Sequence, residues 1–137
     1  MMQNSFFWYD LETTGTDPVL ERIVQFAGQR TDSDLNPIGP PVNFYLKPSI
    51  DTLFHPDATL ITGIDPDQID VEGLSELEGL RKILDCFLIP GTCVVGYNSL
   101  KFDDEFIRQS LYRNFFDPYA REWQNGNSRW DLINLLR

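Results

Sequence analysis

Histidine is almost absent from this chain of 137 residues, which holds one, His55. It sits in the irregular stretch FHPDAT with no acid placed to partner it, and reads as a surface residue. Cysteine is nearly as scarce. Cys86 and Cys93 lie in the apolar runs DCFLI and TCVVG and read as buried free thiols in a reducing cytoplasm. A disulfide framework or a cysteine metal site would need other spacing and partners. No apolar run approaches the roughly 18–20 residues that span a bilayer. The start, MMQNSFFWYDLE, has neither a basic leader region nor a small-residue cleavage site, so no signal peptide is expected. Repeats, low-complexity tracts and linkers are also lacking, and the length suits one domain with a real core.

Positive charge is the other shortage. Eleven Lys and Arg stand against 21 Asp and Glu, a net charge of −10. That balance argues against a nucleic-acid binder taken as a whole, but the deficit is unevenly spread. Residues 1–100 hold 15 acids and 5 bases, whereas residues 101–137 hold 6 of each and 8 of the 18 aromatics. An acidic body able to hold cations beside a mixed, aromatic-rich tail able to hold a strand suits a metal-dependent nuclease. An acidic protein with a well-packed C-terminal helix would have the same composition.

Hydrophobic patterning predicts the elements. Ser5–Glu12 reads as a strand closed by the turn Thr13-Thr14-Gly15. Arg22–Arg30 and Val42–Lys47 read as two further strands, joined as a hairpin through the turn-rich TDSDLNPIGPP. Residues 48–73 are broken by Pro48, Pro56, Gly63, Pro66 and Gly73 and predict irregular structure. Leu74, Leu77, Leu80, Leu84 and Phe87 then recur at helical spacing, with Ser75 and Glu78 as a capping box. Thr92–Tyr97 reads as a short buried strand. Phe102 to about Arg113 reads as a helix with Asp103, Asp104 and Glu105 in its first turn and Phe106, Ile107 and Leu111 on its inner face. Ser128–Arg137 predicts a third helix, within which the chain would end. Three strands ahead of helix–strand–helix units predict a mixed α/β sheet with flanking helices.

The sharpest chemical feature is Asp10 and Glu12. Two apart on a strand, they share one face about 6–7 Å apart, while Tyr9 and Leu11 point into packing. Such a pair is costly unless a cation lies between its members, and Mg²⁺ is commonly held by one or two carboxylates together with a substrate phosphate. The Thr-Thr-Gly turn keeps bulk away and is expected to offer backbone N–H groups to a terminal nucleotide. The second feature is GYNSLKFDDEF, residues 96–106, where a buried strand ends and Asp103 opens a helix. If the two strands are neighbours, Asp103 reaches the same rim as Asp10 and Glu12. Otherwise Asp103 and Asp104 simply cap the helix.

The pattern DLETTG, followed about 90 residues later by NSLKFD, resembles the first two motifs of the DEDD exonuclease superfamily. The stretches FAGQRTDSDLNPIG, LITGI, GYNSLKFDDE, YRNFFDPYAREWQ and NSRWDL extend the resemblance, over essentially the whole chain, to bacterial members that degrade DNA. The resemblance implies a ribonuclease H-like fold and a 3′-to-5′ exonuclease that hydrolyses single-stranded DNA to 5′-mononucleotides in repair and recombination. It implies Asp10, Glu12 and Asp103 as catalytic ligands of two Mg²⁺ ions, with Mn²⁺ as a substitute. Glu12 and Thr13 would contact the terminal nucleotide, and Arg108, Tyr119, Trp123 and Arg137 the strand. Aromatic faces stack on bases without reading sequence, and arginines hold phosphates. A cytoplasmic monomer recruited by the single-stranded DNA-binding protein is implied as well.

The family's third motif, a histidine with an aspartate five residues later, is not found in the 137 residues. Residues 1–137 are therefore expected to be an incomplete exonuclease domain, inactive or very weak alone. Three alternatives stand beside this reading. One is a superfamily member acting on RNA or oligonucleotides, and another is a non-catalytic module that binds single strands. The third, a phosphotransferase, is argued against by Glu12 and the want of a placed lysine.

Overall fold

The computed structural model describes residues 4–47, 69, 71–96 and 102–131. Its named elements are β1 (Ser5–Thr13), β2 (Ile23–Thr31), β3 (Pro37–Tyr45), α1 (Glu76–Phe87), β4 (Thr92–Gly96), α2 (Asp103–Arg113) and β5 (Ser128–Asp131). Two 3₁₀ turns, Ala120–Glu122 and Gln124–Gly126, lead into β5. Of the stretch 48–73 expected to be irregular, residues 48–68 and 70 lie outside the described residues, as do His55 and Arg137; residues 69, 71 and 72 are helical, against that expectation. Among the described residues no helix is long and apolar enough to cross a membrane.

The strands form one mixed sheet in the order β3-β2-β1-β4-β5. β1, β2 and β3 pair antiparallel, and β4 and β5 run parallel to β1 and β4 respectively. The three antiparallel strands and the crossover through a helix agree with the sequence. The β2–β3 connection is tighter than expected. The Asp32 carboxylate accepts the N–H groups of Asp34 and Asn36, both at 2.9 Å, and Leu35 takes a φ of +68°. β3 consequently starts at Pro37. Pro37, Pro40 and Pro41 are tolerated there because β3 lies at the sheet edge, where missing N–H donors break fewer ladder bonds.

Side chains of β1 alternate as the sequence predicts. Phe7, Tyr9 and Leu11 are buried on one face, and Phe6, Trp8, Asp10 and Glu12 occupy the other. The buried face meets Phe26 of β2, Leu80, Ile83 and Phe87 of α1, and Phe106, Ile107 and Leu111 of α2 in one core. Gly28 keeps this face close-packed, since a Cβ there would lie 2.4 Å from the Phe7 ring. The Ser75 hydroxyl caps α1 by accepting from the Glu78 N–H at 3.2 Å. Leu77, placed in the apolar stripe by its spacing, is instead exposed, and Ile83 takes the core position.

The C-terminal expectation fails. Ser128–Asp131 is a strand, not the start of a helix, and residues 132–137 lie outside the described set. Pairing with β4 overrides the local helical spacing, which begins too close to a sheet edge to prevail. Cys86 and Cys93 are free thiols, as expected, but half-buried rather than buried.

Candidate active site

Parallel pairing sets the site. β1, β4 and β5 point the same way, so Asp10 and Glu12, the β4 end at Gly96, and Asp131 gather at the carboxyl ends of three neighbouring strands. In open α/β sheets that end is where ligands bind. From Gly96 the chain leads to α2, whose first residue is Asp103.

Asp10 is exposed, Glu12 half-buried and Asp103 buried. Glu12 and Asp103 are both perturbed. The Asp103 carboxyl is pushed up to about 8, first by burial, then by the negative charges of Asp10, Asp104, Glu12 and Asp131. Glu12 is raised by burial and then by Asp10. The three predicted acids, from two segments more than ninety residues apart, thus share one electrostatic neighbourhood. Asp103 forms no ion pair with a described cation.

Asp104 behaves differently from its neighbour. Its Oδ1 accepts from the Tyr9 hydroxyl at 2.9 Å and from Arg121 Nη2 at 3.0 Å, and its Oδ2 accepts from Arg129 Nη1. Burial, and then Asp104, hold the Tyr9 hydroxyl well above its ordinary 10. The cap position of α2 is Phe102, and both Asp104 oxygens are taken by Tyr9, Arg121 and Arg129, so capping does not account for Asp104.

Among the described residues no three His, Cys, Asp or Glu side chains form a ready-made ion cage. The donor set nevertheless fits a hard divalent cation. It is all oxygen, and Mg²⁺ keeps several waters and needs only one or two carboxylates. The repulsion that raises Asp103 is the charge a cation would offset.

The Thr13–Gly15 turn is held internally. Thr13, which closes β1, donates its hydroxyl to the Gly15 carbonyl at 2.6 Å, and Thr14 donates to Glu21 Oε2 at 2.6 Å. The Thr14 N–H, expected to face a nucleotide, is committed to the Arg22 carbonyl at 2.9 Å. The turn is compact because Glu21 folds back onto it, and a Cβ on Gly15 would lie 2.8 Å from the Glu21 carboxyl carbon.

Tyr119 and Trp123 are 55% and 65% exposed, so neither ring belongs to the core. Arg108 is half-buried and clamped. Its Nε and Nη2 donate to the two Glu122 oxygens at 3.0 and 2.7 Å, and Nη1 meets Glu105. The other described arginines of the tail are likewise paired: Arg113 with Glu76, and Arg121 and Arg129 with Asp104. Among the described residues the tail's arginines are therefore matched by carboxylates and form no free basic surface.

Sequence reasoning missed Asp131 and the Asp104 network. Asp131 is buried at the end of β5, and its charge reaches Asp103. Its signal was SRWD read as a strand, which would have set this acid at the same rim.

Fold and acids together define a class, the ribonuclease H-like exonucleases. The family model described as Exonuclease matches residues 7–137, and the chain belongs to that family. Among its relatives, exodeoxyribonuclease I of Haemophilus influenzae is 51% identical over 133 residues, 97% of this chain and 28% of that protein. A zinc-bound Escherichia coli exonuclease I–single-stranded DNA complex superimposes with a TM-score of 0.96 at 49% identity, covering 98% of this chain and 29% of that one. An exonuclease I complex with SSB-Ct gives 0.96 at 49%, covering 98% and 30%. The chain thus spans less than a third of each.

Proposed function

We propose that this chain is the N-terminal part of an exonuclease domain, in a protein that removes nucleotides from the 3′ end of single-stranded DNA and releases 5′-mononucleotides. The observation that carries this reading is the shared rim of Asp10, Glu12 and Asp103, where the third acid is raised first by burial and then by neighbouring carboxylates that include the other two. The relatives' names support DNA as the substrate. The exonuclease I complex with single-stranded DNA supports an unpaired strand.

Asp10, Glu12 and Asp103 would hold two divalent cations, Mg²⁺ with Mn²⁺ as a substitute. The zinc-bound form of the E. coli relative supports the use of a divalent ion. Bound there, such ions would lower the pKa of an attacking water and stabilise the departing 3′ oxygen. The chain's own residues do the rest. Asp10 and Glu12 are fixed by β1, and Glu12 and Thr13 border the place for the terminal nucleotide. Tyr119, backed by Arg108, and Trp123 offer rings to successive bases, and Arg137 steadies the strand. A histidine and an aspartate from beyond Arg137 would complete the site as general base and further ligand.

The whole protein is further proposed to act as a cytoplasmic monomer in DNA repair and recombination, recruited by the tail of the single-stranded DNA-binding protein. The SSB-Ct complex of a relative supports that partner. The test is digestion by the full-length protein, with Mg²⁺, of DNA and RNA single strands labelled at the 5′ end. Progressive shortening of the labelled DNA supports the reading. Release of the 5′ label first, preference for RNA, or binding without turnover would each overturn part of it.

A further inference from the structure

The proposed reaction gives Asp104 no role, yet the bonds around the site converge on it. Asp104 is 1% exposed and both its oxygens are occupied, by Tyr9 of β1, Arg121 of the first 3₁₀ turn and Arg129 of β5. One carboxylate therefore ties three segments to the first turn of α2. Tyr9 immediately precedes Asp10, and Asp104 immediately follows Asp103. The 2.9 Å bond between them joins the strand bearing two candidate ligands to the helix bearing the third, one residue away on each side.

Tyr9 cannot easily swing aside. Its ring meets the edge of Phe87 at 5.2 Å and stacks on Phe26 at 6.0 Å. The face alternation of β1 then sends Asp10 and Glu12 to the opposite side of the strand from this anchor. Helix α2 is held further by Arg121, which shares Asp104 Oδ1 with Tyr9 and is itself buried over Phe87 at 5.0 Å.

We propose that Tyr9 and Asp104 are a positioning pair that holds Asp10 and Glu12 in register with Asp103. The inference rests on the nuclease reading above. Phenylalanine at position 9 would fill the same aromatic slot, and the two arginines would still partner the carboxylate. The fold is then retained while the alignment loosens.

The experiment compares full-length wild-type protein with Tyr9→Phe in Mg²⁺-activated hydrolysis of single-stranded DNA. The Mg²⁺ concentration at half-maximal rate is expected to rise about tenfold, the scale of one buried hydrogen bond to a charged acceptor. KM for the strand should change by less than about twofold, because ground-state binding is untouched. Saturating Mg²⁺ should restore most of kcat, with the thermal midpoint near wild type. Asp104→Glu keeps the charge but displaces the acceptor, and should shift the Mg²⁺ midpoint the same way even if Tyr9→Phe fails to fold. Wild-type Mg²⁺ midpoints in both variants, or a kcat loss that Mg²⁺ does not restore, would overturn the proposal. An Asp10→Ala protein that still digests DNA would instead overturn the nuclease reading beneath it.

Discussion

Arg108 stands with its guanidinium carbon 4.9 Å from the centroid of the Tyr119 ring. Its edge nitrogens are held by Glu122, and that pairing raises its pKa above the ordinary arginine value. The sequence suggested a phosphate contact. The structure gives Arg108 a face for the ring and a charge already matched within the fold, so its expected role is to orient the Tyr119 ring.

Arg108→Ala and Tyr119→Ala in the full-length protein should therefore be less than additive for single-strand affinity, since both disturb one stacking platform. Arg108→Ala should also lower the salt dependence by clearly less than the slope of about 0.7 expected for one neutralised single-strand phosphate. Titrations in Ca²⁺ at several salt concentrations give both readouts. Additive losses with the full slope change of about 0.7 would make Arg108 a direct phosphate ligand.

Trp123 joins the two 3₁₀ turns and projects an exposed ring. Trp123→Ala should weaken binding of a single strand by about 1–3 kcal/mol, the scale of one base–aromatic stack. Its thermal midpoint and its kcat at saturating DNA should stay near wild type. A lower midpoint with unchanged affinity would mark the ring as structural.

Asp103 yields a pH prediction whose sign follows from burial and neighbouring charge. Its carboxyl titrates near 3.8 when unperturbed and is raised to about 8 in the fold. Between those values the folded protein keeps a proton that the unfolded chain has released. Its contribution to stability is complete below about 4 and is lost as pH rises through 8. In EDTA, Asp103→Asn should flatten the fall in thermal midpoint between pH 5 and pH 8 and raise the midpoint at pH 8. Divalent ions should stabilise wild type most at the alkaline end. An unchanged pH profile in Asp103→Asn would show that Asp103 is not the strained acid.

Much of this was legible in the sequence because it follows from local periodicity. Alternation along SFFWYDLET set Tyr9 and Leu11 against Asp10 and Glu12, and Ser75 with Glu78 marked the start of α1. What escaped depends on partners far along the chain. β5 is four residues held in place by pairing with the β4 edge, and the helical spacing that runs on from it misled. Asp104 looked like a helix-capping acid because nothing local announces Tyr9, Arg121 or Arg129. The TDSDLNPIGPP stretch overstated its loop, because its prolines fall on an edge strand that tolerates them.

The most direct measurement is Mn²⁺ binding to the full-length protein, followed by electron paramagnetic resonance, without DNA and without turnover. Wild type should bind Mn²⁺ in competition with Mg²⁺, and Asp10→Asn, Glu12→Gln and Asp103→Asn should each weaken that binding by about tenfold or more, as loss of a charged oxygen ligand implies. Equal Mn²⁺ affinity in wild type and all three variants would contradict the account.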